Sequence, residues 1–334
     1  MTKKRVVVVG GGTGTHTVLR GLRAYADKLD ITAIVSMADS GGSTGRLRDE
    51  FGFLPIGDVR NALSALASEG DAHDDLLRQL FLYRFAKGEG LSGHNFGNLF
   101  LTALTDILGS EEAAIKAASH ILKVSGRVVP VTTSDVQLVA TYEDGTVVVG
   151  ENDIDESLIY QGDSRITSLG VTPEAYITED ARQAIISADL LVFGPGDLYT
   201  SVLANCVVSG FREAVAESKA TIVYVCNLMS KRGQTVGMHA AEHIAEIAAH
   251  IGRAPDVALI NTATFRDDLL SKYDAEGNHP ILNNCNGDVC TITALPLVSE
   301  EEVVLTSGDV VKRSLIRHDS HALARALMEI LETH

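Results

Sequence analysis

Two glycine-rich stretches near the N-terminus have the composition of loops that bind phosphate groups. The first follows four valines and supplies the candidate ligand-binding residues Gly11, Gly12, Thr13, Gly14 and Thr15. Glycine lets the backbone approach an anion closely, and free N–H groups at the start of a following helix attract negative charge. The spacing matches neither GxGxxG nor a Walker A loop, because the third glycine and the lysine are missing. Alone, the loop predicts a phosphate-like ligand, with a tight turn that binds nothing as the alternative.

The second stretch, ADSGGSTGRLR, follows the next predicted strand and adds hydroxyl, backbone and guanidinium donors. Its candidate ligand-binding residues are Asp39, Ser40, Gly41, Gly42, Ser43 and Arg46. Asp39 stands near the position where a dinucleotide enzyme carries its ribose-binding acid. Arg48 fits a ligand contact and a solvated helix start equally well. Because loops at the carboxyl ends of neighbouring parallel strands meet, both stretches are expected to line one crevice.

Further polar residues stand at helix starts and strand ends, where they could face the same crevice. They are Arg60, Asn61, His94, Asn95, Asn98, Gly194, Gly196, Asp197 and Asn227. Several have a structural alternative: Asn95 could serve only as a helix N-cap, and His94 could be structural. Asp58 is predicted to cap its own helix.

Composition and net charge limit the kinds of partner and cellular location that the sequence fits. The chain has 334 residues, 45% of them hydrophobic, and a formal net charge of −16. This charge argues against nucleic acid or an anionic membrane as the main partner. No signal-peptide pattern or membrane-spanning apolar run is present, which predicts a cytoplasmic protein. Four cysteines are too few for a disulfide framework in a chain of this length.

Strand patterns alternate with helical patterns along most of the chain, which predicts an α/β fold with a mostly parallel, doubly wound sheet in a single domain, 1–334. Residues 127–177 change to two-residue alternation, with a turn at Glu143–Gly145, and predict a small β insert containing a hairpin. The helical stretch from Asp74 to Phe85 is predicted to bury Leu76, Leu77, Leu80 and Phe81, and the helix that follows His94 is predicted to bury Leu99, Leu104 and Ile107. His239, His243 and His250 are predicted to form a solvated helix face, without a metal.

The motifs GGGTGT, ADSGGSTGRLR, GDVRNAL, GHNFGNLF, GPGDLYTS and VCNLMSKRGQT, in this order, resemble the YvcK family of gluconeogenesis factors. That family is related to the 2-phospho-L-lactate transferases of the CofD-like superfamily. The resemblance implies a Rossmann-like three-layer core, a cytoplasmic location and a ligand of the UDP-N-acetylglucosamine type. It also implies a role in directing carbon into cell-wall precursors and in cell shape, with a protein partner in precursor synthesis, and it is compatible with a homo-oligomer.

By this resemblance, residues of both glycine loops and of the GHNFGNLF motif match the ligand cleft shared with the transferases. Tyr273, in a loop-like segment, and Arg317 match segments that contact UDP-sugars in the YvcK branch. Two positions depart from the family pattern: Ser40 replaces a second aspartate, and Asp197 replaces a serine. The loss of one of two adjacent carboxylates removes a ligand for Mg²⁺ and weakens the transferase interpretation.

The leading hypothesis is therefore a regulatory protein that binds a UDP-sugar, for which the sequence identifies no certain cofactor and Mg²⁺ is a candidate. The alternative is a phosphotransferase resembling the 2-phospho-L-lactate transferases, with Asp39 as a ligand of Mg²⁺. A dehydrogenase that uses NAD is a third hypothesis, disfavoured by the broken GxGxxG pattern and the second anion loop.

Overall fold

The computed structural model describes residues 2–156, 164–287, 289–301 and 314–333. Its strands are β1 (Lys4–Gly10), β2 (Leu29–Val35), β3 (Arg127–Pro130), β4 (Gln137–Tyr142), β5 (Val147–Val149), β6 (Ile166–Thr172), β7 (Leu190–Phe193), β8 (Thr221–Val225), β9 (Val257–Asn261) and β10 (Thr291–Leu295).

The helices of the first half are α1 (Gly12–Arg23), α2 (Gly42–Phe51), α3 (Gly57–Leu66), α4 (Ala72–Leu82), α5 (Phe96–Leu108), α6 (Glu111–Ile121) and α7 (Glu151–Asp155). Those of the second half are α8 (Glu179–Ser187), α9 (Ala204–Cys206), α10 (Phe211–Glu217), α11 (Ala240–Ile251), α12 (Asp267–Asp274) and α13 (Ser320–Thr333). A π-helix, Leu198–Leu203, runs directly into α9.

Within the described residues, seven parallel strands form one sheet in the order β10-β9-β8-β7-β1-β2-β3. The chain winds outward from β1 through β2 to β3 and then returns to the other side of β1 at β7. This is the doubly wound α/β fold that the sequence predicts. The strand order reverses between β1 and β7, and ligands of open α/β sheets bind outside the carboxyl ends of the strands at such a point.

The valines of β1 explain why the sheet is covered on both faces. Val6 and Val8 belong to one apolar core, with α1, α3 and α13, whereas Val7 and Val9 belong to the other, with α8, α10 and α11. A strand buried on both sides needs apolar residues at every position, and four consecutive valines supply them. The result is a three-layer arrangement of helices, sheet and helices.

The β insert begins later than predicted. Arg127–Pro130 pairs in parallel with β2 at the edge of the main sheet. The small antiparallel sheet consists of β5, β4 and β6, in that order, so the predicted hairpin between β4 and β5 is confirmed. Leu138, Ala140 and Tyr142 of β4 are buried in the same core as Val7. The insert therefore packs on one face of the parallel sheet.

Three predictions about burial are wrong. His243 is fully buried in α11, where its Nδ1 lies 3.0 Å from the hydroxyl of Tyr224. In α4, Leu76 is 55% exposed and Leu80 is 41% exposed, and Ile107 in α5 is 75% exposed. Helical periodicity identifies an apolar face but not whether the tertiary structure covers it.

No helix in the described ranges is long and apolar enough to cross a membrane.

The packing of α13 on α1 gives a first prediction. A Cβ atom added to Gly21 would lie 2.0 Å from the carbonyl oxygen of Ser320. Gly21→Ala should therefore lower the free energy of unfolding by about 1–3 kcal/mol through overpacking, although alanine is the better helix former. Urea unfolding measures the change. Gly170→Ala is the matched control, because a Cβ there meets nothing within 4 Å, and equal loss in both variants would contradict the prediction.

Candidate functional site

The loops after β1 and β7 are in direct backbone contact at the strand-order reversal. A Cβ atom on Gly14 would lie 2.1 Å from the carbonyl oxygen of Pro195, and one on Gly196 would lie 3.5 Å from that of Gly11. The predicted residues Gly194, Gly196 and Asp197 therefore meet the first glycine loop. Asn227, at the end of β8, donates from its amide to the carbonyl of Gly196 at 2.7 Å and supports the same loop.

The carboxylate of Asp58, a residue of α3, lies at the N-terminus of α1. Its carboxylate accepts a hydrogen bond from the backbone N–H of Gly12 at 2.7 Å, and a Cβ on Gly11 would lie 2.1 Å from its Oδ2. The prediction that Asp58 caps its own helix is wrong, since it is already within α3 and reaches across to α1. The chain's own carboxylate stands where the glycine loop predicts a phosphate.

Asp39 makes a similar contact at the second loop. Its Oδ1 accepts from the N–H of Gly41 at 3.0 Å. A Cβ on Gly57 would lie 2.2 Å from Asp39 Oδ2 and 2.6 Å from the hydroxyl of Thr44. Asp39 is therefore held against the first residue of α3, beside Asp58.

Burial makes both of these half-buried carboxyl groups less acidic. Burial raises the pKa of Asp58 to about 7, and the negative charge of Asp39 adds to the effect. Burial also raises the pKa of Asp39, against the stabilising hydrogen bonds from Gly41 and Thr44. Asp39 and Asp58 therefore keep a proton at neutral pH more readily than surface carboxylates do.

The β insert supplies a wall of the crevice through α7. The hydroxyl of Ser40 accepts from the N–H of Asn152 at 3.0 Å, and the N–H of Ser40 lies 3.4 Å from Glu151 Oε2. Burial, reinforced by the charge of Asp39, raises the pKa of Glu151. Ser40 thus joins the second loop to the insert.

Lys231 joins the insert to the loop after β7. Its ammonium group contacts Asp155 of α7 and lies 2.7 Å from Asp197 Oδ2. Burial opposes the charged ammonium, but the two carboxylates outweigh burial and raise the pKa of Lys231. Burial raises the pKa of Asp197 to about 6. Thr200 donates to Asp155 at 2.9 Å, which completes the cluster.

The start of α5 lies against the second loop. The hydroxyl of Ser43 lies 3.1 Å from His94 Nδ1 and accepts from the amide of Asn98 at 3.3 Å. Asn95 is the N-cap of α5, accepting from the N–H of Gly97 at 2.8 Å. Burial, followed by the charge of Arg46, lowers the pKa of His94. His94 therefore stays neutral in the wall of the crevice.

Three deeply buried oxygen atoms around the crevice have no hydrogen-bond partner among the described residues. They are Thr15 Oγ1, Asn98 Oδ1 and Gln234 Oε1, each in a residue with at most 2% exposure. A buried polar atom without a partner is costly, and a bound molecule or ordered water commonly satisfies it.

The arginines of the predicted site have different surroundings. Arg46 is exposed and donates to the carbonyl of Ser92 at 3.2 Å. Arg48 forms an ion pair with Asp135 at 2.5 Å, so it holds the segment before the insert. Arg60 donates to Asn61 Oδ1 at 2.7 Å and lies close enough to Asp58 to stabilise its charge.

Tyr273 and Arg317 lie outside these loops. Tyr273 belongs to α12, so the prediction that it lies in a loop is wrong, and its hydroxyl accepts from the N–H groups of Leu315 and Ile316 at 2.9 and 3.2 Å. Arg317 follows directly. Burial lowers the pKa of His16 in α1 to about 4, with smaller effects from the positive charges of Arg20, Arg60, Arg78 and Arg317. Arg317 is thus electrostatically coupled to the first turns of α1.

A magnesium site is not formed by side chains alone. Within the described ranges, no group of three or more histidine, cysteine, aspartate or glutamate residues is arranged to hold a metal ion. Asp39 as a metal ligand stays a prediction. Mg²⁺ commonly takes one or two carboxylates together with substrate phosphates, so Asp39 would need oxygen ligands from the bound molecule.

A groove of about 670 Å³ lies at the opposite, amino-terminal edge of the sheet, beside Lys219, Arg253 and Asp256. It contains none of the predicted site residues. The chemistry described above lies at the carboxyl edge.

Sequence reasoning missed Glu151, Asp155, Lys231 and Gln234. Lys231 and Gln234 follow the end of β8, so their place after a parallel strand was a usable signal. Glu151 and Asp155 carry no such signal, because they reach the crevice only when the insert packs on the main sheet.

The profile of the CofD family, described as 2-phospho-L-lactate transferase CofD, matches residues 6–298. The gluconeogenesis factor of Bacillus subtilis is 38% identical over 333 residues, which cover 99% of both chains. The gluconeogenesis factor of Halalkalibacterium halodurans is 39% identical and covers 98% of this chain and 97% of its own. A crystal structure of a UPF0052 family member from Bacillus halodurans is 37% identical and superposes with a TM-score of 0.87 over 98% of this chain and 99% of that one.

The carboxylates of the crevice predict a pH dependence of stability. Between about pH 4 and about pH 7, native Asp58 keeps a proton that the unfolded chain has lost, so stability falls as pH rises through this window. Asp58→Asn cannot ionise and keeps an acceptor for Gly12. It should reduce this fall and be more stable than the wild type by on the order of 1–2 kcal/mol above about pH 8.

Urea unfolding at a series of pH values measures this difference. Asp27→Asn, which changes an exposed carboxylate in the turn after α1, should leave the pH dependence unchanged. Parallel curves for the wild type and Asp58→Asn would contradict the assignment.

Lys231→Met tests the attachment of the insert. Without the ammonium group, Asp155 and Asp197 face each other uncompensated, which should destabilise the fold by about 2–3 kcal/mol. Part of the loss should be recovered as the pH falls, because the ammonium group lowers the pKa of Asp197 and its removal lets this carboxyl take up a proton more readily. Urea unfolding measures both effects, and Lys219→Met, at an exposed lysine, is the control. No loss in the Lys231 variant would show that the ion pairs do not hold the insert.

Proposed function

Because this chain belongs to the CofD family, we propose that it binds a phosphate-containing nucleotide, a UDP-sugar of the N-acetylglucosamine type, at the carboxyl edge of its parallel sheet. The observation that carries the proposal is the contact between the loops after β1 and β7 at the strand-order reversal, with the loop after β2 joined to them through Gly57 and Asp58 of α3. Two of these loops precede helix starts rich in glycine N–H groups, which suit a pyrophosphate.

In this proposal each part of the ligand has its own set of contacts. The pyrophosphate lies against residues 11–15 and 41–44, where it replaces Asp58 at the N–H of Gly12. The ribose or uracil lies near Asp39, and the sugar extends toward His94, Tyr273 and Arg317. The buried oxygens of Asn98 and Gln234 supply acceptors for ligand hydroxyl or amide groups.

A regulatory role fits the names of the relatives, two of which are called gluconeogenesis factor. In this proposal the protein is cytoplasmic, senses a cell-wall precursor and directs carbon toward precursor synthesis through a protein partner, with consequences for cell shape. Ligand binding would change the contacts of Ser40 with α7, because Ser40 lies between the anion loop and the insert.

Phosphotransfer is the second candidate. It is favoured by the description of the family and by the acidic cluster, in which burial raises the pKa of Asp39, Asp58, Glu151 and Asp197. Such shifts concentrate at catalytic sites, although structural ion-pair networks produce them as well. A Mg²⁺ ion would belong to this candidate, with Asp39 as its protein ligand.

Titration calorimetry with UDP-N-acetylglucosamine tests the leading proposal. The wild type should bind, and Arg317→Ala should weaken binding by about 1.5–3 kcal/mol, roughly tenfold to a hundredfold, if a charge-assisted bond to the ligand is lost. Arg182→Ala is the matched control, because this arginine pairs with Glu217 away from the crevice.

A turnover assay distinguishes the two candidate functions, regulatory binding and phosphotransfer. Binding without release or transfer of a phosphoryl group over a long incubation with Mg²⁺ supports the regulatory role. Transfer to a phosphate or hydroxyl acceptor would favour phosphotransfer. In the calorimetric titration, the absence of binding heat at millimolar ligand would rule out the leading proposal.

A further inference from the structure

His318 is buried next to Arg317, beside the carboxyl end of β8. Its side chain is 8% exposed, and its Nε2 lies 3.2 Å from the carbonyl oxygen of Cys226, the residue after β8. A carbonyl oxygen only accepts hydrogen bonds, so Nε2 carries the proton and donates. Burial lowers the pKa of His318 to about 4, although the bond to Cys226 opposes this effect. The ring is therefore neutral at pH 7 and serves as a hydrogen-bond donor.

The backbone around His318 is held by the segment that follows β10. The N–H of Ser299 donates to the carbonyl of Arg317 at 2.8 Å. The N–H of Asp319 donates to the carbonyl of Leu297 at 2.7 Å, and these two bonds place His318 in an antiparallel bridge. Successive side chains of extended backbone point to opposite sides. Because His318 points inward, Arg317 points outward, where it is half-buried.

The end of β8 holds two parts of the proposed site. Cys226 accepts from His318, and the next residue, Asn227, donates from its amide to the carbonyl of Gly196 at 2.7 Å. Gly196 belongs to the loop that contacts the first glycine loop. Arg317 and that loop are therefore both fixed relative to the same strand end.

We propose that His318 is a positioning residue, whose hydrogen bond to Cys226 sets where the guanidinium of Arg317 lies relative to the first glycine loop. This inference rests on the proposed function, in which Arg317 contacts the ligand. The positive charge of Arg317 already reaches α1, since it contributes to the lowered pKa of His16. Ordering a long side chain on binding costs conformational entropy, and a backbone that is held in place beforehand reduces this cost.

Packing alone does not call for a histidine at this position. Ile316, two residues earlier, is 7% exposed, so the segment already has an apolar anchor. Burying a polar ring is unfavourable unless its polar atoms are hydrogen-bonded. What His318 adds is the direction that its hydrogen bond imposes, which apolar packing does not supply.

Titration calorimetry of the full chain with UDP-N-acetylglucosamine tests the inference. His318→Phe keeps an aromatic ring but removes the donor, and it should weaken binding about fivefold or more. His318→Gln, whose amide can donate to the carbonyl of Cys226, should bind within about twofold of the wild type. In an Arg317→Ala background, His318→Phe should change the affinity by less than about twofold, because His318 acts through the arginine.

Ile185→Ala is the matched control for lost stability. Ile185 is fully buried in α8, and its carbonyl accepts from the hydroxyl of Ser218 shortly before β8, at the amino edge of the sheet. This variant should unfold more readily in urea because it leaves a cavity, but it should bind as the wild type does.

Hydrogen exchange of the free protein gives a readout that needs no ligand. The amides of Ser299 and Asp319 join the segment after β10 to the segment that contains His318. Both should exchange faster in His318→Phe than in the wild type, and at close to the wild-type rate in His318→Gln. Unchanged rates in His318→Phe would overturn the inference.

The binding data separate this inference from the proposed function. If the wild type binds but His318→Phe binds equally well, or weakens binding as much without Arg317 as with it, His318 is not a positioning residue and the proposed function stands. An equal loss of affinity in folded His318→Gln and His318→Phe would also contradict the inference. A wild type without binding heat would overturn the proposed function, and the inference with it.

Discussion

The hydrogen bond from the N–H of Gly12 to the carboxylate of Asp58 connects the main parts of the crevice. The first glycine loop leaves backbone donors at the N-terminus of α1 in a half-buried place, where they need a hydrogen-bond acceptor. Asp58 supplies it from α3, and only glycine at position 11 leaves room for this carboxylate. The cost of burying the charge appears in its pKa, which rises to about 7. A phosphate bound here must replace an internal anion rather than fill an empty place.

Other loops of the crevice are also held by the chain's own charged side chains. Asp39 accepts from the second loop, and Lys231 is held between Asp155 and Asp197. Because the insert contributes Asp155 and contacts Ser40, hydrogen bonds and ion pairs join the insert to the loops after β2 and β7. This arrangement suits a protein that reports ligand binding, and the family's transferase description keeps phosphotransfer as the alternative.

The sequence predicts the doubly wound sheet because the signals of strands and glycine loops are local. For example, four consecutive valines are enough to identify β1 as a strand buried on both faces. The sequence also predicts that the strand-end loops lie at one edge of the sheet, because the carboxyl ends of parallel strands share that edge. The direct contact is between the loops after β1 and β7, whereas the second glycine loop reaches the first through α3. It fails where tertiary packing decides. Asp58 looks like the cap of its own helix but reaches another, and Glu151 arrives from the insert. Leu76 and Ile107 follow a core pattern, yet their helices turn them toward solvent. For Tyr273, the helix α12 is short and carries few apolar residues, so periodicity does not reveal it.

The crystal structure of the complex with UDP-N-acetylglucosamine is the most direct test of the central claim, that the ligand's phosphates take the place of Asp58 at the start of α1. The account predicts phosphate oxygens within hydrogen-bond distance of the Gly12 N–H, between residues 11–15 and 41–44, with the carboxylate of Asp58 moved away. A nucleotide bound at the opposite edge of the sheet, or at the crevice with Asp58 still bonded to Gly12, would contradict it.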